Sequence, residues 1–257
     1  MTIKRSSWSI PYLVFLICFV ALPLVLVVLY AFQDGQGHFT LANITKFFGD
    51  TDALNTFGVS LEVAIENTLL CILLGYPAAW ILANKNLNRS AVTIVLFILP
   101  MWINALMRTL ATAELFNMLG FELGKGTLLF GMVYDYLPFM IYPIYNTLSR
   151  MDHSYAEAAE DLGATPWKVF WKVTVPLSKP GVVSGVLMVF MPTMSTFAIS
   201  EFLTNNKIKL FGTIIQENIN TSMWNYGAAL ALVMLIIIGL TTFLSGSSEN
   251  EVEGGLV

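Results

Sequence analysis

Charge is what this 257-residue chain has least of. Asp, Glu, Lys and Arg make up 12% of it, and 56% is hydrophobic; an ordinary soluble domain carries about 25% charged and about 45–50% apolar residues. A water-soluble globule is excluded. The 13 basic residues are outnumbered by 17 acidic ones, for a net charge of -4, so there is no broad basic surface and nucleic acid is excluded as a partner. Two cysteines, Cys18 and Cys71, lie in apolar runs without CxxC or Cys/His spacing, which leaves no basis for a disulfide framework or a metal site. The two histidines, His38 and His153, fall in separate loops, and no GxSxG, HExxH or GxxxxGK[ST] string occurs. An intramembrane enzyme is thereby disfavoured, no catalytic residue or cofactor is expected, and ATP chemistry has to belong to a partner.

Long apolar sequence is what the chain has in abundance. Ser9–Phe32 holds no charge at all, and at 1.5 Å per residue it crosses a hydrocarbon core of about 30 Å. Lys4 and Arg5 precede it as they would a signal peptide, but the run exceeds an h-region of about 7–15 residues and no small-x-small cleavage site follows. Further runs follow at Leu61–Ala83, Ser90–Ala113, Thr127–Leu148, Gly181–Ser200 and Asn225–Leu244. They are continuously apolar rather than alternating, so each must satisfy its backbone internally as a helix, not as a barrel strand. The expected fold is all-α, a polytopic membrane protein with six transmembrane helices. Its organisation reads as an N-terminal span and outer loop (1–60), a five-span core (61–244) and a polar tail (245–257).

Prolines 23, 77, 100, 138, 143 and 192 each remove a hydrogen bond inside a span; this either bends a gated core or reflects the tolerance of membrane helices for proline. With the amino terminus in the cytoplasm, Lys4, Arg5, Lys85, Arg89, Arg150, Lys168, Lys172 and Lys179 lie inside, and Lys46, Arg108, Lys125, Lys207 and Lys209 outside. That bias favours cytoplasmic location of both termini, the tail being polar and disordered.

The longest cytoplasmic connection is RMDHSYAEAAEDLGATPWKVFWKVTVPLSK, residues 150–179. Ser154 with Glu157 predicts a capping box, and Gly163 supplies a left-handed helix end. The result is a helix of about two turns between the fourth and fifth spans. Ala156, Ala158 and Ala159 keep its surface low, and Glu157, Glu160 and Asp161 charge it. Such a short helix needs packing from elsewhere, from a partner or from its own bundle.

Glu157-Ala158-Ala159, then three residues, Gly163, nine residues, Val173, one residue, Val175 and Pro176 reproduce the EAA---G---------I-LP signature of ABC importer permeases, with valine for both Ile and Leu. The chain resembles that family from about Leu61 to Leu244. GYPAAWILA (75–83), LPMWINALMRTLA (99–111) and VYDYLPFMIYPIY (133–145) look like the spermidine/putrescine permeases among them. The acidic tail, with Glu249, Glu251 and Glu253, departs from the basic segment in which such permeases often end. The resemblance implies a subunit in the bacterial cell membrane and a second, homologous permease beside it. A cytoplasmic ABC ATPase dimer would grip the short coupling helix through Glu157, Ala158, Ala159, Gly163 and Pro176, and an extracytoplasmic substrate-binding protein would deliver the solute. A permease for another cationic or small organic solute would share the same loop. A stand-alone channel or secondary transporter would instead carry inverted repeats or a dense row of intramembrane charges.

The acidic residues gather towards the outer half. Glu62 and Glu66 share a face at i, i+4, Glu114 ends the third span, Asp135 lies inside the fourth, and Glu201 closes the fifth. An ionised Asp135 in hydrocarbon costs about 2.5–3.5 kcal/mol and so must face the bundle interior or a wet cavity. Flanked by Tyr134 and Tyr136, and level with Trp102, it either holds an ammonium by charge and ring faces or pairs with Arg108. Glu62, Glu114 and Glu201 also fit solvated helix ends, and Trp80, Trp102 and Trp224 fit interface anchors.

Overall fold

The computed structural model describes residues 10–84, 88 and 92–254. Lys4, Arg5, Lys85 and Arg89 of the orientation argument lie outside the described residues, as do the side chains of Glu249, Glu251 and Glu253. Helix dominates, and no strand is found among the described residues. Four helices are long and apolar enough to cross a membrane: α1 (Pro11–Ala31), α3 (Thr51–Ala83), α6 (Lys125–Arg150) and α12, apolar over Trp224–Phe243 and helical to Gly254. Six spans result if each of two sharply bent pairs counts as one. Between α1 and α3 lies the short α2 (Ala42–Gly49). The tail expected to be disordered therefore continues α12 as helical backbone through residue 254.

The first bent pair is α4 (Val92–Ile98, tightened to a 3-10 turn at Leu99–Trp102) and α5 (Ala105–Met118), which meet at 89°. The third span is thus not one rod. Pro100 lacks an N–H and disfavours helix at Leu99, Ile103 is extended, and Asn104 caps α5 by accepting from the N–H groups of Leu106 (2.9 Å) and Met107. After the short α7 (Ser154–Asp161) comes the second pair: α8 (Pro166–Leu177) and α9 (Lys179–Ser195), at 61° around Ser178. The fifth span ends earlier than expected, because Thr196 is extended and Ala198–Thr204 forms a separate α10. An α11 (Phe211–Asn220) leads to α12.

The prolines act in two ways. Pro77, Pro138, Pro143 and Pro192 sit inside helices that continue past them. Pro23 and Pro176 each follow a π-helical turn, Ile17–Ala21 and Phe170–Thr174. A ring that clashes with the carbonyl four residues back widens the preceding turn, which is the expected local response.

The chain divides into two compact units. One ends at Asn55 and takes in Ile214–Leu240. There Ala31, Ala229 and Leu232 form a small core, the Tyr226 hydroxyl donates to Asp50 Oδ2 (3.0 Å), and the Lys46 ammonium lies 4.0 Å over the Tyr226 ring. The other unit, Thr56–Thr213 with the chain from Thr241, holds every candidate coupling and pathway residue named above. Its core joins α3, α6 and α9 through Cys71, Ala79, Met140, Ile141, Ile144 and Val189. Gly181 and Gly185, one turn apart on α9, let that helix lie directly on α6: a Cβ at Gly181 would stand 2.9 Å from the Pro143 carbonyl oxygen, and one at Gly185 3.3 Å from that of Met140. Such small-xxx-small contact replaces the missing hydrophobic drive between helices in lipid with close dispersion. A buried Asn67 Nδ2 donating to Thr193 Oγ1 (2.8 Å) ties α3 to α9.

Candidate functional site

Two places in the second unit concentrate the candidate residues, one on an exposed connection and one buried. The first is the 150–179 connection. Its helix α7 begins at Ser154, but the capping box does not form: the Ser154 N–H donates instead to Asp152 Oδ1 (2.9 Å). Asp152 thus takes the place expected of Glu157 as acceptor of the Ser154 N–H, and that N–H holds its carboxyl below the usual carboxylate range. The far end follows expectation. Gly163 has φ +82°, its N–H donates to Glu160 O (2.8 Å), and the Ala164 N–H reaches Ala159 O (3.0 Å). These two bonds make a Schellman motif that closes the helix on the left-handed glycine.

No residue of α7 is buried. Glu157, Ala158 and Pro176 are exposed and Ala159 is half-buried, and beside them Leu162 and Trp167 are 89% and 70% exposed. Behind this surface the loop is held by a link the sequence reading missed. Phe170 packs its ring edge-on to Tyr76, Trp80 and Trp171 and stacks on Trp167, with centroids 5.3–6.0 Å apart, and the Tyr76 and Ser178 hydroxyls are hydrogen-bonded at 2.8 Å. Trp80 is therefore a strut between α3 and the loop. The aromatic run WKVFW was the available signal. Truncating Phe170 to alanine should cost about 2–3 kcal/mol at this half-buried site and speed amide hydrogen exchange across α8 by roughly tenfold to a hundredfold. Unchanged exchange would show that the cluster does not hold the loop.

The second place is a buried ion pair. Arg108 on α5 is 7% exposed and Asp135 on α6 is 2% exposed, and Nη2 stands 3.0 Å from Oδ1. The Thr109 hydroxyl donates to Asp135 Oδ2 at 3.1 Å and also lies 2.9 Å from Ala105 O. Asp135, Tyr136 and Trp102 line one cavity of about 600 Å³ with Arg108. Tyr134 lines a different one, of about 440 Å³, and its ring faces the Arg108 guanidinium at 5.4 Å. The two tyrosines therefore do not flank the carboxylate together, because residues two apart on a helix point to different faces. Glu66 is not with them either. Lys125 Nζ donates to both Glu62 Oε1 (2.6 Å) and Glu66 Oε1 (2.9 Å), well inside α3, which begins at Thr51 rather than near Leu61. Glu201 is half-buried on α10 and lines neither cavity.

The chain is similar to known proteins in both sequence and fold. Residues 4–248 match the family described as binding-protein-dependent transport system inner membrane component. The chain is 33% identical over 220 residues to the spermidine/putrescine transport system permease protein PotB of Escherichia coli (strain K12), covering 79% of this chain and 80% of that one. To the protein of the same name from Haemophilus influenzae it is 30% identical over 253 residues, 89% and 88% of the two chains. Among solved structures, a chain of a bacterial ABC transporter involved in the import of the acidic polysaccharide alginate superposes with a TM-score of 0.67 at 13% identity, covering 94% of both chains. The same fold recurs, with a TM-score of 0.68 and 12% identity over 96% and 94% of the chains, in a bacterial alginate ABC transporter in complex with an alginate pentasaccharide-bound periplasmic protein. With its helical membrane architecture and a family match across nearly its whole length, the protein belongs to the inner membrane components of binding-protein-dependent transport systems, the permeases of ABC importers.

Proposed function

We propose that this permease carries spermidine and putrescine into the cell as half of a translocation pathway, paired with a second, homologous permease above a cytoplasmic ABC ATPase dimer. The observation that carries the solute class is likeness of 30% or more, across most of both chains, to permeases named for spermidine and putrescine. The ATPase grips α7 around Glu157, Ala158, Ala159 and Gly163, with Pro176 beside it. The exposed Leu162 and Trp167 supply apolar contact, and Phe170 passes the pull to α3. An extracytoplasmic binding protein releases the solute to the outer side, where Glu66 and Glu201 add negative charge. Asp135, Trp102 and Tyr136 receive its ammonium groups, and Tyr134 backs Arg108. In this orientation both termini are cytoplasmic and the 150–179 loop faces the ATPase.

Uptake of labelled spermidine by the complete complex, competed with unlabelled putrescine and with a sugar, tests the solute class. Putrescine is expected to compete and the sugar is not. A sugar that competes, with no polyamine uptake, would assign the permease to another solute.

A further inference from the structure

We propose that Arg108 is a resident counter-ion that the solute displaces: an ammonium group takes its place against Asp135, and the freed guanidinium turns into the adjoining cavity. The proposal rests on the polyamine reading above and adds a residue that controls specificity.

The pair is close but incomplete. Arg–carboxylate pairs are commonly bidentate, yet here a single nitrogen approaches, and no N–H is directed at Asp135 Oδ1 within hydrogen-bond geometry. Arg108 Nε and Nη1 are buried with no hydrogen-bond partner. The Thr109 hydroxyl carries one proton to share between Ala105 O and Asp135 Oδ2. A pair serving only to hold helices together gains nothing from unmade bonds in a buried place. A carboxylate left with spare acceptor capacity is suited to exchange one cation for another.

The surroundings supply room for both steps. The cavity of about 600 Å³ is lined by Asp135 together with Trp102, Asn104, Tyr136 and Phe139, so an ammonium inside it would meet aromatic rings as well as the carboxylate. The cavity of about 440 Å³, which shares Ile103 and Arg108 with the first, is lined by Arg108 but not by Asp135. The Tyr134 ring, already 5.4 Å from the guanidinium carbon, offers the departing charge a seat. No bond is made or broken; one cation replaces another, and the buried carboxylate is never left bare. A neutral solute has no charge with which to compete against Arg108, so rejection of sugars follows from the pair itself.

The test uses the complete transporter complex, purified and reconstituted. Arg108→Gln leaves Asp135 without its cation and should lower the melting temperature. Spermidine should raise it again by more than it raises that of wild type, whereas a neutral sugar should not, and the double variant Arg108→Gln/Asp135→Asn should show no such rescue. Independently, Asp135→Asn, a near-isosteric change, should raise the half-saturating spermidine concentration for uptake by about tenfold or more. Failure of the rescue, or unchanged uptake kinetics of Asp135→Asn, overturns the exchange while leaving the polyamine reading in place. A wild-type complex that takes up no spermidine overturns both.

Discussion

Replacing Gly163 by proline should cut solute uptake by roughly a hundredfold or more, while the extracytoplasmic binding protein keeps its affinity. Gly163 sits at φ +82°, and its N–H donates to Glu160 O. Proline is locked near φ −65° and has no N–H, so it removes the bond and forces the chain out of the turn, a penalty of about 3 kcal/mol or more. At about 1.4 kcal/mol per tenfold, this leaves α7 in its docking shape in under roughly one molecule in a hundred. Glu157→Lys, which reverses a charge on the exposed face without touching the backbone, should also abolish uptake. Both are read as ATP-dependent accumulation of labelled solute in proteoliposomes. Normal accumulation by either variant would remove α7 from the coupling path.

Arg108→Leu is expected to have the largest effect on stability. It strands a carboxylate that is 2% exposed, and breaking a buried pair from one side costs about 3–5 kcal/mol. Arg108→Leu/Asp135→Leu should regain most of that loss, because apolar replacement of both partners is often neutral or favourable. Thermal unfolding in detergent follows the stability, and uptake by the same preparations follows the function. The double variant should be folded and transport-deficient. A folded double variant with full uptake would reduce the pair to a structural clasp.

Much of the fold was legible because lipid leaves the backbone little choice. A run such as Pro11–Ala31 has to close its own hydrogen bonds, so composition alone places it as a helix. Gly163 was legible for an equally local reason, since only a left-handed residue ends α7 as that helix ends. The N-terminal cap was misassigned because two carboxylates compete for the Ser154 amide; Asp152, two residues before it, accepts the bond in place of Glu157, and no reciprocal Ser154–Glu157 box forms. The 89° break after Trp102 was hidden as well. Pro100 announces a weakness in the helix, but only Asn104 capping a new one turns weakness into a corner.

Sequence by itself determined the all-helical membrane class, the approximate place of four apolar crossings and the signature of the 150–179 loop, because these follow from solvation, spacing and local backbone geometry. The tertiary structure decided which charges meet: Arg108 with Asp135, and Lys125 with both Glu62 and Glu66. It also decided that Tyr134 and Tyr136 serve different cavities and that Phe170 ties the loop to α3. Those pairings depend on how far each helix is rotated about its axis and how closely glycines such as Gly181 and Gly185 let neighbours approach, quantities set by packing among distant segments.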